Sequence, residues 1–176
     1  KSSNVGASMM ALDLPREQLW SLFSRLGFGE STDTGFPGES GGQLTPHQRW
    51  ARIDQATISF GYGLSVTPLQ LARAYAVLAA DGVRRPVSLL RLDQLPEGER
   101  VISQGTAKAV RAMMESVVSD QGSAPQAAVF GYRVAGKTGT AKKSVSGGYA
   151  DDKYRSVFAG MAPVSDPRLV LVVMID

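Results

Sequence analysis

One run of residues offers chemistry that packing alone does not ask for: Gly136-Lys137-Thr138-Gly139-Thr140-Ala141. Lys137 supplies a point charge, Thr138 and Thr140 supply hydroxyl donors, and Gly139 lets a ligand or another element approach the backbone. On a strand, that combination reads as an anion site. Gly and Lys are also depleted in central strands, so an edge or a bulge accounts for the same run without a ligand. We set a nucleotide-phosphate loop aside at this point. At the other end stands Ser2-Ser3-Asn4, a set of small polar residues that more often forms a loop or a helix cap than a site.

The rest of the composition narrows what these groups can do. The chain has 176 residues, one histidine (His47) and no cysteine, which removes thiolate metal sites, iron–sulfur clusters and cysteine nucleophiles. A Ser-His-Asp triad would have to use His47, and a multi-histidine metal centre is impossible. Proton chemistry must therefore run on Lys, Asp, Glu, Tyr or Ser; no metal and no cofactor is implied. The net charge of +3 comes from interspersed signs, so no nucleic-acid partner is expected. An apolar share of 43% allows a packed core, and the longest apolar run, Leu169 to Ile175, is far short of a membrane span.

The elements that must position these groups change character along the chain. Pro15 to Leu26 has a helical apolar face of Leu19, Leu22, Phe23 and Leu26, with Pro15 suited to the first turn and Gly27 to the stop. Residues 28–50 form a long loop rich in Gly and Pro, and His47 falls in it as a surface residue. Thr67-Pro68 opens a helix that ends at Gly82, with Thr67 as its cap. Arg85 to Leu92 reads as extended, and Thr106 to Val118 as an amphipathic helix with Val110, Met113, Met114 and Val117 inward. Three strands follow: Phe130 to Ala141, Tyr154 to Ala162 and a buried one from Arg168 to Ile175. Lys142 to Lys153 is expected to loop between the first two, and Asp166-Pro167 to turn into the third. Helices followed by an antiparallel sheet give an α+β fold, with helices packed on a sheet face.

Ser2-x-Asn4 and Lys137-Thr138-Gly139, in that chain order, are two of the three elements of the penicillin-recognising serine enzymes. With Gly35-Phe36-Pro37-Gly38-Glu39, Gln55 to Leu64, Val66-Thr67-Pro68-Leu69-Gln70-Leu71-Ala72, Lys142-Lys143 and Phe158-Ala159-Gly160-Met161-Ala162-Pro163, the chain resembles the transpeptidase domain of class B penicillin-binding proteins. The division-specific, septal branch of Gram-negative bacteria is the most similar. The resemblance implies the penicillin-binding-protein/serine β-lactamase-like fold, with 1–176 as one C-terminal portion of that domain. It implies peptidoglycan D,D-transpeptidation at the septum, on D-Ala-D-Ala stem peptides, with β-lactams as mimics. Ser2 then relays a proton to the leaving amine, and Asn4 holds the acyl side-chain carbonyl and orients the lysine of the nucleophile motif. Lys137 favours a carboxylate and tunes proton transfers, and the Thr140 N–H is one oxyanion donor. Thr138 and the Thr140 hydroxyl bind the terminal carboxylate. Ser3, Tyr62, Gly139 and Tyr154 are expected beside the substrate.

One departure is important. The family's nucleophile sits in Ser-x-x-Lys, and no lysine here has a serine three residues before it. The expectation is that the nucleophile precedes Lys1, that these residues are the second half of a domain, and that alone they do not acylate and leave a sheet face exposed. The missing N-terminal half would be the first partner, a septal glycosyltransferase and other division proteins the next. The whole protein would be a single-pass protein of the inner membrane with this domain in the periplasm. Two alternatives share the fold: a non-catalytic β-lactam sensor or scaffold, and a serine β-lactamase using Glu30 or Glu39 to deacylate.

Overall fold

The computed structural model describes residues 2–145 and 148–176. Lys1 and residues 146–147 of the expected Lys142–Lys153 loop lie outside the described residues. The described chain divides into two compact units, the boundary falling between Gln70 and Leu71. Among the described residues, no helix is long and apolar enough to cross a membrane.

The first unit is helical and loop-rich. Ser3 caps helix α1 (Asn4–Leu12), its Oγ accepting from the Gly6 N–H at 3.1 Å. The composition of this helix hides it: its apolar residues run nearly all round, and neither end carries a charge. It packs on α3 (Arg52–Ile58), whose Gln55 amide donates to the carbonyls of Ala11 at 2.7 Å and Leu14 at 2.8 Å, closing the end of α1. Between them lies α2 (Arg16–Arg25), which Pro15 precedes as its cap rather than as its first residue, and Gly27 follows at φ 90°. The loop of residues 28–50 contains a short strand, β1 (Gln43–Leu44), paired with β2 (Leu64–Ser65), and a turn of 3-10 helix at His47–Arg49. His47 is half-buried rather than a surface residue, because its ring packs against Trp20 with centroids 5.6 Å apart.

Helix α4 (Pro68–Ala79) starts as the sequence predicts. The Thr67 Oγ1 accepts from the Gln70 N–H at 3.1 Å, and the Gln70 Oε1 accepts from the Thr67 N–H at 2.7 Å, a reciprocal capping box. Gln70 is fully buried, and its Nε2 donates to the carbonyls of Glu30 and Gly41, each at 2.7 Å. One side chain thus starts the helix and clips both arms of the long loop.

In the second unit, β3 (Val83–Arg84) pairs with β4 (Glu99–Arg100); the expected extended segment from Arg85 to Leu92 is irregular instead. Helix α5 (Gln104–Glu115) is capped by Ser103, two residues ahead of the expected start and three short of the expected end. Of its paired methionines, Met114 is 8% exposed and Met113 is 64% exposed, so Met113 is not an inward residue. Adjacent positions are about 100° apart on the helix, and here only Met114 of the pair falls within the core-facing stripe.

The sheet is a meander of β5 (Ala135–Val145), β6 (Gly148–Ala162) and β7 (Leu169–Ile175), antiparallel in that order. Strand pairing begins five residues later than expected, since Phe130 stands fully exposed on a turn closed by the Tyr132 N–H and Val129 carbonyl. It also extends through Val145 and from Gly148, so most of the expected loop is hairpin. Ala135 and Met161 meet Met114 and Val164 in the core, with Tyr75, Leu78, Val110 and Val170 around them. The other face of β7 stays open: Leu169, Leu171, Val173 and Ile175 are exposed, and the strand expected to be buried is only half-buried, at Val170 and Val172, with Met174 exposed as well.

A second clip holds α4 to α5. The buried Arg111 donates to the Leu78 carbonyl at 2.5 Å and to Asp81 Oδ1 at 2.7 Å, and Gln104 donates to Asp81 Oδ2 at 2.8 Å. The Gln104 and Arg111 hydrogen bonds hold the Asp81 carboxyl below its ordinary value. Replacing Arg111 by Ala strands the last carbonyls of α4, and we expect a loss of about 2–4 kcal/mol in the intact protein. Urea unfolding checks it; a change below about 0.5 kcal/mol would show that the clip is dispensable.

Candidate active site

The second unit carries Lys137, Thr138, Gly139, Thr140 and Tyr154. Strand β5 has β6 on one side and no strand on the other among the described residues, so it is an edge that offers its backbone outward. Alternation puts Ala135, Lys137 and Gly139 on the face that α5 covers, and Gly136, Thr138 and Thr140 on the other. Lys137 stands opposite the buried Ala159 and is itself half-buried. Its Nζ donates to the Thr138 carbonyl at 2.5 Å, and no carboxylate among the described residues pairs with it. Burial holds its ammonium pKa below the ordinary 10.5. An underpaired, partly desolvated cation is what an incoming anion needs.

The glycines of this run have different reasons. A Cβ on Gly136 would lie 2.4 Å from the Phe158 ring, and one on Gly160, its partner across the ladder, 2.7 Å from the same ring. The outer end of the Phe158 ring therefore sits over two glycines and bridges β6 and β5. A Cβ on Gly139 meets nothing within 4 Å, so the fold of this chain does not require that glycine. Thr138 is half-buried, Thr140 is exposed, and the Thr138 Oγ1 lies 3.1 Å from the Ser123 Oγ. Tyr154, opposite Lys142, shares the face of Thr138 and Thr140 and donates from its hydroxyl to the Asp151 carbonyl at 3.1 Å.

The run from Gly131 through Gly136-Lys137-Thr138 does fit Gly-x-x-x-x-Gly-Lys-Thr, the spacing of a phosphate loop. Spacing gives no ground for dismissing that reading; geometry does. The lysine and threonine lie along an extended strand that runs into a hairpin, where a phosphate loop would curl into a helix N-terminus.

The first unit carries Ser2, Ser3, Asn4 and Tyr62. Ser2 is exposed ahead of α1, Asn4 is its exposed first residue, and the Ser3 hydroxyl is taken by the cap. Tyr62 is half-buried edge-on against Phe60, centroids 5.8 Å apart, between Gly61 at φ 102° and Gly63 at φ 77°.

Glu39 is bound into its loop. Its Oε2 accepts from the hydroxyls of Ser31 at 2.6 Å and Thr32 at 3.0 Å, and its Oε1 from the Thr34 N–H at 3.0 Å and the Thr34 hydroxyl. The Ser31 hydroxyl first, then the Thr32 hydroxyl and the Thr34 and Asp33 backbone N–H groups, hold its carboxyl below the ordinary value of 4.5 despite an opposing desolvation. A carboxylate so engaged organises Phe36-Pro37-Gly38 and makes a poor general base. Sequence reasoning missed this role, and missed Ser123 and Phe158; Ser31-Thr32 and Thr34 ahead of Glu39 were the visible signal for the first. Among the described residues, no cluster of His, Cys, Asp and Glu could hold a metal.

With fold and geometry in place, comparison with known proteins is direct. The whole chain, residues 1–176, matches the family model described as penicillin binding protein transpeptidase domain, and the chain belongs to that family. It is 48% identical over 176 residues to the peptidoglycan D,D-transpeptidase FtsI of Escherichia coli K12, covering all of this chain and 30% of that protein. The transpeptidase domain of Burkholderia pseudomallei penicillin-binding protein 3 superposes with a TM-score of 0.95 at 50% identity, covering all of this chain and 54% of that one. Penicillin-binding protein 3 of Mycobacterium tuberculosis, solved with aztreonam, gives a TM-score of 0.93 at 38% identity and 43% coverage of its chain. The chain thus spans about a third of the length of the FtsI relative. The α+β penicillin-binding transpeptidase fold is that of these neighbours.

Two predictions follow from the geometry. Gly136→Ala drives a methyl into the Phe158 ring and should cost about 1–3 kcal/mol, whereas Gly139→Ala should leave the unfolding free energy within about 0.5 kcal/mol of the parent. Equal losses at both positions would contradict the assignment. For Glu39 the folded pKa is depressed, so its contribution is complete above about pH 4.5 and fades as pH falls through the folded value. Relative to the intrinsic exchange rate at each pH, amide protection at Thr34 and Phe36 should fall on that acid side, and Glu39→Gln should remove most of that pH-dependent loss.

Proposed function

We propose that the complete protein is a septal peptidoglycan D,D-transpeptidase and that this chain supplies its second and third sequence motifs. The observation that carries the reading is Lys137: a half-buried cation with no carboxylate partner among the described residues, on an edge strand whose open face presents Thr138 and Thr140. That set fits a carboxylate, and a D-Ala-D-Ala stem and a β-lactam both carry one. Relatives crystallised with aztreonam and ampicillin are consistent with it.

In this mechanism the nucleophilic serine comes from outside the chain. Its oxygen bonds to the carbonyl carbon of the penultimate D-Ala, and the terminal D-Ala leaves with a proton relayed through Ser2. The Thr140 N–H takes the oxyanion, worth about 10²–10³ in rate for such a donor. Asn4 holds the acyl side chain; Thr138 and the Thr140 hydroxyl hold the departing carboxylate; Lys137 sets the local potential. Ser3, Gly139, Tyr62 and Tyr154 line the peptide's path. An amine of a second stem peptide then displaces the serine, giving the 4→3 cross-link. Lysine-assisted chemistry of this kind needs no imidazole. Placement of the protein in the inner membrane, with this domain in the periplasm, and partnership with a glycosyltransferase and division proteins belong to the same proposal. The β-lactamase alternative loses support from Glu39, whose oxygens are already occupied by four donors.

The full-length protein should take a fluorescent penicillin covalently, and Lys137→Ala should slow that labelling by about 10² or more. The chain of residues 1–176 alone should stay dark on a denaturing gel. Stable label on the isolated chain would place a nucleophile within it, and rapid release of label by the full-length protein would favour the β-lactamase reading.

A further inference from the structure

We infer that Ser123 is a positioning residue for the carboxylate-binding hydroxyl of Thr138; the inference rests on the penicillin-binding reading above and adds a residue outside the three family motifs. Its Oγ lies 3.1 Å from the Thr138 Oγ1. The segment that carries Ser123 is held on both sides. Before it, Gly122 lies so close to α5's exit that a Cβ would fall 2.1 Å from the Val117 carbonyl oxygen, and its N–H donates to the Ser119 carbonyl at 2.8 Å. After it, the buried Ala124 donates its N–H to the same Val117 carbonyl at 2.8 Å, and a 3-10 turn at Pro125–Ala127 follows. Ser123 itself is exposed, so nothing in the packing asks for a hydroxyl there.

The direction of this hydrogen bond follows from what Thr138 has to do. A hydroxyl carries one proton and can accept others. If Thr138 gave its proton to Ser123, it would meet a ligand carboxylate with lone pairs only. The arrangement that binds an anion has the Ser123 O–H donating to Thr138 Oγ1 and the Thr138 O–H donating to the carboxylate. Two hydroxyls in series polarise one another, so the outer one becomes the stronger donor. Ser123 thereby fixes the polarity of Thr138 without touching the ligand.

The test uses the full-length protein and the second-order rate of acylation by benzylpenicillin. Ser123→Ala should slow acylation about fivefold to tenfold, the size of one hydrogen bond relayed to a charge, through weaker binding rather than a slower chemical step. Ser123→Thr should restore the rate. In a Thr138→Val background, Ser123→Ala should cost nothing further, and with the methyl ester of benzylpenicillin, which lacks the carboxylate, the single variant should match the parent. A merely structural role would lower the rate for both compounds and in both backgrounds. A parent that labels, with Ser123→Ala unchanged or slowed equally for acid and ester, overturns this inference alone. A parent that takes no label overturns the penicillin-binding reading and this inference with it.

Discussion

The arrangement of the sheet depends on the absence of two side chains. Phe158 can lie across the β5–β6 ladder only because Gly136 and Gly160 leave the backbone bare beneath its ring. With the ring there, the two strands are fixed in register from the open face, while Ala135 and Met161 fix them from the core face through Met114 and Val164. Strand β5 is therefore gripped at its start from both sides and freed further along, where a side chain at Gly139 would meet nothing within 4 Å and Thr140 is exposed. The grip stops where the candidate site begins. An edge strand that must receive a ligand cannot be covered along its length, yet it must not drift, because a one-residue slip would exchange Lys137 and Thr138 between faces.

Single polar side chains do for the loops what Phe158 does for the sheet. Gln70 satisfies all of its amide groups inside the first unit, at the start of α4 and on both arms of the long loop. Glu39 gathers the hydroxyls of Ser31, Thr32 and Thr34 around one carboxylate, and Arg111 closes the C-terminal end of α4. Each is a many-to-one arrangement. Removing the hub leaves several groups unpaired, whereas removing one spoke leaves one, so the hubs concentrate the penalty of unmade hydrogen bonds.

This division explains what could be read from the sequence. Helices with a one-sided apolar pattern and a cap residue, α2, α4 and α5, were legible within a few residues, as was the antiparallel order of the strands. Helix α1 was not, because Val5, Met9, Met10 and Ala11 show no single stripe and the cap at Ser3 looked equally like a loop. The hairpin beyond Ala141 was hidden by Lys, Ser and Gly, residues that favour loops until a partner strand is supplied in three dimensions. Lys137, Thr138 and Thr140 could be read from residue types alone as a candidate anion site, with an edge or bulge as the equal alternative. The roles of Gln70, Glu39, Phe158 and Ser123 were not legible: Gln70 clips carbonyls 29 and 40 positions away, Ser123 meets a hydroxyl 15 positions on, Phe158 acts through a shape that no local pattern records, and Glu39 acts through a loop that closes on itself.

The two carboxylate-related groups of the family question are held in opposite ways, and that contrast bears on function more than any motif does. Glu39 is surrounded by donors and pushed toward permanent ionisation, which spends its basicity on holding a loop. Lys137 is half-buried and given a single backbone carbonyl, which leaves its charge available, while burial lowers its ammonium pKa. A hydrolase that frees itself from an acyl-enzyme needs a base ready to deprotonate water; an acyl-transfer enzyme that holds its acyl group for an incoming amine gains from lacking one. The bound carboxylate and the available ammonium suit the second kind of enzyme, and they favour the proposed site on β5 over one on the loop of Glu39.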